Sequence, residues 1–455
     1  MKVKSFCSAL LFIVGLGLLL SSCKKQSTEI SESEVKDTPT TETAEAKEAP
    51  AAAAKLILTD EKPTGTLEIY SWWAGDEGPA LEALIDLYKK QNPEVKVVNA
   101  TVTGGSGVNA RAVLKTRMLG GDPPDSFQIH AGQELIGTWV AAERMIDLTP
   151  LYEAEGWKEK FPQDMLKLLG TKDGIWSVPV NIHRSNVMWY IPKNLKKWGV
   201  EVPKTWDDFF KIAKKLKKKG ITPLALGENW TVNHLWESVA LGVLGPEKWE
   251  QLWDGSLSFS SPEAINVWKV FSQILEYVNK DHDSLSWQQA TDRMVKGKAA
   301  FNIMGDWAAG YMSTTLKLEP GKGYGWSPSP GSNDVFMSLA DSFGYPKGAK
   351  NPPALIAWLK LCGSKEGQDA FNPLKGSIPC RSDADIDKYN DYSKSAYKDF
   401  QSNKIVGSLV HGVVANEGFS NSFSTVMGTY LQNKNAEQAA SACADIAAKN
   451  GITKQ

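Results

Sequence analysis

Leu67-Glu68-Ile69-Tyr70-Ser71-Trp72-Trp73-Ala74-Gly75-Asp76-Glu77-Gly78-Pro79 is the stretch on which the fold turns. Leu67 and Ile69 alternate with polar neighbours, as in a half-buried strand. Pro79 sits at a first-turn position of a helix, and Leu81, Leu84, Ile85 and Tyr88 follow at helical spacing to give one apolar face. Asn92-Pro93 ends that helix and Val95-Lys96-Val97-Val98 begins a second strand. A Gly104-Gly105-Ser106-Gly107 turn leads to a helix through Leu114 and Leu119, which Asp122-Pro123-Pro124 breaks before a third strand, Ser126-Phe127-Gln128-Ile129-His130.

Strand-helix-strand-helix-strand implies a parallel sheet with right-handed crossovers. In open sheets of this kind ligands lie beyond the carboxyl ends of the strands. Those ends carry Trp72, Trp73, Asp76 and Glu77, then Gly104 and Gly105, then Gln128 and His130. Flat indole surfaces beside acidic acceptors suit a sugar, whose C–H face lies on an aromatic ring and whose hydroxyls each donate and accept. Each residue also has a plainer use: tryptophans pack cores, Glu77 supports a helix start, and Gln128 and His130 serve as satisfied polar core groups. With 17 Trp against 12 Tyr, most tryptophans must be structural.

Working outward, a fourth strand is expected at Gly174-Ile175-Trp176-Ser177-Val178-Pro179-Val180, followed by a domain crossing in Asn181-Ile182-His183-Arg184-Ser185-Asn186. The pattern restarts at Val187-Met188-Trp189-Tyr190, and Thr205 caps a helix whose first turn holds Asp207 and Asp208. A mainly helical region runs to about Leu316. Trp326-Ser327-Pro328-Ser329-Pro330-Gly331 reads as a second crossing, residues 336–343 as a strand rejoining the first domain, and Lys375-Gly376-Ser377-Ile378-Pro379 as a third crossing. A helix over residues 351–361 and a helical tail from Ala436 complete the reading.

At the other end, Lys2 and Lys4 precede an apolar run from Ala9 to Leu20 and then Leu20-Ser21-Ser22-Cys23, the pattern of an export signal with a lipobox. Residues 1–23 are thus expected to be a lipoprotein signal and Cys23 the lipidated residue. Residues 24–64 are rich in Glu, Lys, Thr, Ser, Ala and Pro and should form a disordered tether. The remaining length suggests two domains. A net charge of −1 favours neither nucleic acid nor an anionic membrane surface. Export permits a disulfide, and among Cys362, Cys380 and Cys443 the pair Cys362–Cys380 is expected.

Several segments together resemble a known family. The Pro203-Lys204-Thr205-Trp206-Asp207 helix start and the Gly305-Asp306-Trp307 segment resemble extracellular solute-binding proteins of family 1, which include maltodextrin receptors. More closely, Ser71-Trp72-Trp73-Ala74-Gly75-Asp76-Glu77, Val180-Asn181-Ile182-His183, Asn302-Ile303-Met304-Gly305-Asp306-Trp307, Phe371-Asn372-Pro373-Leu374-Lys375-Gly376-Ser377 and Leu409-Val410-His411-Gly412 resemble bacterial glucose/galactose-binding lipoproteins of ABC sugar transporters. The likeness runs from about residue 65 to the C-terminus; the tether and the three cysteines depart from it.

The resemblance implies an α/β, two-lobed periplasmic-binding-protein fold of type II with the ligand cleft between the lobes. The N-terminal lobe would hold residues 65–183 plus 332–378, and the C-terminal lobe 184–331 plus 379–455. It implies a monosaccharide ligand, glucose first and galactose or mannose as rivals, held by Trp72, Trp73, Glu77, Gln128, His130, Trp287, Trp307, Asp341, Lys375 and His411. It also implies a monomer, anchored by lipid to a bacterial membrane and facing the periplasm or the outer cell surface, that hands sugar to permease subunits and their ATPase. No cofactor, metal or catalysis is implied. Asp76 and Asp306 are ranked as helix-start and cap residues.

Other chemistry has little support. The Gly104–Gly107 turn lacks the Lys-Ser/Thr of a phosphate loop, the five histidines form no His-x-x-x-His pair, and no Gly-x-Ser-x-Gly elbow occurs. The rivals are a surface-anchored glycoside hydrolase, which also needs aromatics and two carboxylates, with Asp341 as a second acid, an oligosaccharide-binding protein, and an adhesion or scaffold lipoprotein.

Overall fold

The computed structural model describes residues 56–452. The export segment, Cys23 and residues 24–55 of the expected tether lie outside the described residues. Within residues 56–64, Leu56 is buried and donates its N–H to the Asp147 carbonyl at 3.0 Å, whereas Ile57 is 80% exposed. Leu56, within the expected tether, is therefore packed on the fold.

The first sheet has five strands in the order Val95–Thr101, Gly65–Ser71, Ser126–His130, Asp341–Gly344, Ser177–Pro179. The first three are parallel, as the alternating pattern predicts. Asp341–Gly344 runs antiparallel to both of its neighbours. The expected fourth strand is broken: Gly174–Ile175 pairs in a hairpin with Gly170–Thr171, and only Ser177–Pro179 reaches the sheet. It takes the edge, where a proline's missing N–H costs no ladder bond. Helices Gly78–Gln91, Pro352–Gly363 and Lys365–Lys375 cover this sheet, and Leu67, Ile69, Leu84, Phe127, Phe343 and Trp358 are in its core.

A second sheet has the order Gly325–Pro328, Val187–Tyr190, Ala299–Ile303, Thr222–Ala225. Its core, with Phe209, Trp236, Trp268, Phe271 and Phe423, is built mostly by helices Trp206–Lys218, Asn229–Trp253, Pro262–Leu275 and Glu417–Asn433. Thr205 caps the first of these, accepting the Asp208 N–H at 3.1 Å. The segment expected as a second crossing is instead partly this sheet, since residues 325–328 pair with residues 187–190. The chain leaves the sheet only afterwards.

The crossings lie side by side. Ile182 and Ile378 exchange backbone hydrogen bonds at 2.8 and 3.0 Å. His183-Arg184 pairs with Ser338-Leu339, and Val335–Leu339 also pairs with Lys404–Gly407 to make a third, small sheet. The single strand expected over 336–343 is thus two, Val335–Leu339 here and Asp341–Gly344 in the first sheet. Val335 and Met337 enter the second core and Phe336 between them the first, the alternation of a strand buried on both faces; it ends at Leu339, which joins the first core.

The cysteines correct an expectation. Cys362, Cys380 and Cys443 are all free and buried. Cys362 packs in the helix Pro352–Gly363, while the Cys380 thiol points to the Asn181 carbonyl at 2.9 Å. Burial pushes all three thiols up, away from the reactive thiolate. No helix among the described residues is long and apolar enough to cross a membrane.

Phe343, fully buried between Trp73 and Trp358, fixes where the antiparallel strand enters the sheet. Phe343→Ala is expected to lower unfolding free energy by about 3–5 kcal/mol, read from the urea midpoint. A loss below about 1 kcal/mol would mean that this contact does not hold the strand.

Candidate ligand-binding site

The edge where the first sheet meets the crossings gathers most of the residues singled out in sequence. Trp72 and Trp73 leave the strand Gly65–Ser71, and His130 ends the third strand. Asp341 begins the antiparallel strand directly opposite His130. Lys375 is the last residue of its helix, and Gly376 follows at φ +85°. Only glycine fits there, because a Cβ would lie 2.3 Å from the Gly310 backbone nitrogen. From the second half of the chain come Trp287, first residue of a helix closed by a Ser286/Gln289 capping box, and Trp307 after Gly305-Asp306. His411 sits in a loop whose next residues accept backbone hydrogen bonds from Gln133 and Glu134 at 3.1 and 2.8 Å.

Trp72, Trp73, Glu77, His130, Trp287, Trp307, Asp341, Lys375 and His411 line one small cavity together with His183 and Leu339. Its free space is about 20 Å³, roughly that of a single water. Gln128 stands one layer back. Its amide donates to Asp341 Oδ1 at 2.8 Å and its carbonyl accepts the Trp72 N–H at 3.2 Å, so it fixes both.

Asp341 is the centre of the arrangement. Besides Gln128, the Asn181 side-chain N–H donates to its Oδ2 at 2.8 Å, and the Asn181 side-chain Oδ1 accepts the Asp341 backbone N–H at 2.7 Å. His183 Nε2 lies 3.5 Å from Oδ2 and His130 Nε2 3.7 Å from Oδ1. Burial alone would raise this carboxyl, but the adjacent His183 ring and the charges of His130, His183 and Lys375 overcome it. Asp341 is held well below the ordinary carboxylate range.

The surrounding groups are held in turn. His130 Nδ1 meets Glu134 at 2.8 Å. Burial opposes the charge on Glu134, yet His130 and Arg111 outweigh it and its carboxyl is lowered. Burial also opposes protonation of His183, but the Asp306 carboxylate beside its Nδ1 prevails and the ring's pKa is raised. Asp306 stands at the N-cap position of the short helix Trp307–Gly310, but its side chain is used elsewhere. It makes no capping bond, and its carboxylate takes His183, the Arg184 N–H at 2.9 Å and the Tyr392 hydroxyl at 3.2 Å. Lys375 meets Glu77 at 2.6 Å and lies 5.6 and 5.9 Å above the Trp73 and Trp307 rings. Asp76, half-buried at the helix start, accepts only the Thr315 hydroxyl, at 3.3 Å, among its hydrogen bonds given by the described residues.

The aromatic frame is continuous. Trp72 packs on His130 at 5.1 Å, His130 on His411 at 5.5 Å, and His411 on Trp307 at 5.1 Å. Trp73 is locked from behind by Phe371 at 4.9 Å and Phe343 at 5.9 Å. Sequence reasoning left two wall residues out of the site, His183 and Leu339. His183 had a signal, a titratable ring inside a predicted crossing; Leu339 had none. The arrangement offers indole faces, two carboxylates, one ammonium and several imidazoles around a small space.

Because Asp341 is lowered on folding, its charge stabilises the native state above its ordinary pKa of 3.8, and that contribution is lost as pH falls through the depressed native value. The stability of the protein relative to its Asp341→Asn variant should therefore be largest above about pH 5 and shrink progressively below about pH 4. A difference that stays flat over this range in urea titrations would show that the carboxylate is not selectively stabilised.

Comparisons with known proteins agree with this architecture. The model of the bacterial extracellular solute-binding protein family matches residues 72–369. An uncharacterized ABC transporter extracellular-binding protein of Pyrococcus horikoshii is 36% identical over 381 residues, 82% of this chain and 85% of its own. A probable sugar-binding periplasmic protein of Mesorhizobium japonicum is 30% identical over 381 residues, 81% and 89% of the two chains. A glucose-binding protein of Saccharolobus solfataricus is 26% identical over 330 residues, 67% of this chain and 59% of its own. Among solved structures, a solute receptor with a preference for β-D-galactopyranose superposes with a TM-score of 0.75 at 18% identity, covering 85% of this chain and 99% of the other. A chitin oligosaccharide binding protein does so at 0.74, with 18% identity over 85% and 99%. The chain has the two-lobed α/β periplasmic-binding-protein fold and belongs to the bacterial extracellular solute-binding proteins.

Proposed function

We propose that the protein is the substrate-binding lipoprotein of an ABC sugar importer, lipidated at Cys23, monomeric, and selective for a monosaccharide, glucose first. The observation that carries this reading is the buried Asp341 carboxylate sharing one small cavity with Trp72, Trp73 and Trp307. Such a site bonds hydroxyls through charge-assisted acceptors and donors while indoles cover the C–H face of the ring. A misplaced hydroxyl leaves a buried polar group unpaired, which is how hexose epimers are told apart. The names borne by the Mesorhizobium and Saccharolobus relatives support a sugar, the latter glucose.

The lobes are residues 65–183 with 332–378 and residues 184–331 with 379–455. Sugar loads on the first lobe, at Trp72, Trp73, Glu77, Gln128, His130, Asp341 and Lys375. Trp287, Trp307 and His411 arrive from the second lobe as the hinge closes. About 20 Å³ of free space admits no hexose, so the lobes part before binding. Ligand favours closure only through contacts made in the closed form. The closed form then docks on the permease, whose ATPase supplies the energy. A hydrolase would need a carboxylic acid with a raised pKa to protonate the leaving oxygen, and Asp341 is shifted the other way.

Calorimetry with glucose, galactose, mannose and maltose tests the reading. Saturable heat is expected with one or more hexoses and not with maltose. No heat with any hexose, or product release from an aryl glycoside, would overturn it. Asp341→Ala is expected to abolish binding, and Trp72→Ala to weaken it by at most about 3–5 kcal/mol, comparable to truncating a buried aromatic. Unchanged affinity in the Asp341 variant would remove that residue from the site.

A further inference from the structure

A second cluster lies behind the His411 side of the cavity. His234 and Glu237 are one turn apart on the helix Asn229–Trp253, and His411 faces them from the loop after Lys404–Gly407. All three are buried, and their ligating atoms lie within 4.8 Å of one another. His234 Nδ1 and His411 Nδ1 are 3.4 and 3.9 Å from the same atom, Glu237 Oε1. Four ligands about 2.0–2.1 Å from a tetrahedral zinc ion are roughly 3.3–3.4 Å apart. The first separation is at that spacing and the second is only slightly long.

Two observations set this cluster apart from ordinary packing. Neither nitrogen of His234 makes a hydrogen bond among the described residues. An unbonded polar group in the interior is costly, and an ion is one of the few things that offsets it. Glu237, in turn, is braced as metal-binding carboxylates are. Its Oε2 accepts the Leu409 and Val410 N–H groups at 2.9 and 3.1 Å, and its Oε1 accepts the Ser185 hydroxyl at 2.5 Å. The Ser408 hydroxyl lies 2.8 Å from Oε2 and 3.0 Å from Oε1.

We propose that His234, Glu237 and His411 form a site for a divalent d-block cation of the zinc class, with the Ser408 hydroxyl or a water as fourth ligand. His411 also lines the cavity described above, so the site has a consequence there. A metal on His411 Nδ1 leaves the proton on Nε2, which then donates into the cavity. With no metal, Nδ1 can donate to Ser408 Oγ at 2.9 Å, which leaves Nε2 an acceptor. This consequence rests on the hexose reading; the metal site does not.

The test is calorimetry of the full chain, freed of metal by chelator dialysis, with ZnCl₂, and absorption spectroscopy with Co²⁺. One equivalent of Zn²⁺ and the visible bands of tetrahedral Co²⁺ are expected. Glu237→Gln and His234→Leu, checked for folding by circular dichroism, should lose more affinity than the 10–100-fold typical of losing an outer partner of a ligand. Should Glu237→Gln fail to fold, His234→Leu decides, because the ring it replaces makes no hydrogen bond. No uptake by the wild type, or equal uptake in His234→Leu, overturns the proposal. The metal titration needs no sugar, so it stands or falls apart from the hexose titrations.

Discussion

The buried carboxylate of Asp341 is the interaction on which the rest of the site depends. A lone carboxylate in a protein interior costs several kcal/mol and would take up a proton. Here Gln128 and His130 from one strand and Asn181 and His183 from a crossing surround it, and its pKa is held low. Each of those partners is placed by something else: Gln128 also fixes Trp72, and His183 is oriented by Asp306. Removing the acid would leave a ring of unpaired donors.

The same carboxylate ties the fold to the cleft. Asp341 begins the strand that inserts antiparallel between Ser126–His130 and Ser177–Pro179. Two residues earlier the chain is in the small crossing sheet, where Leu339 pairs with His183. A displacement at the crossings therefore reaches Asp341 through a single connecting residue, Ala340. In the proposed hinge motion, the point about which the lobes turn and the group that holds the ligand are near neighbours in the chain.

Sequence patterning made the local parts legible. Alternation over Leu67–Ile69, the helix face Leu81, Leu84, Ile85 and Tyr88, and the turn signals between them predicted three parallel strands that the structure contains. Long-range pairing was not legible. Nothing near residues 341–344 announces that they lie beside His130, and a continuous apolar run over 336–343 does not show where it divides between two sheets. The candidate site divides in the same way. Trp72, Trp73, Gln128 and His130 follow from the rule that ligands sit at strand ends. Trp287, Asp341, Lys375 and His411 entered through family resemblance alone, because their meeting depends on chain crossings. The expected Cys362–Cys380 bond failed for a related reason: spacing in the chain says nothing of where thiols point, and Cys380 points to a carbonyl.

The central claim is that both lobes share one ligand and close upon it. Small-angle X-ray scattering, recorded without sugar and then with saturating glucose, tests it most directly. The account predicts a smaller radius of gyration with glucose, as Trp307 and His411 close over a hexose lying on Trp72 and Trp73. An unchanged radius of gyration at a glucose concentration that saturates the calorimetric signal would contradict closure.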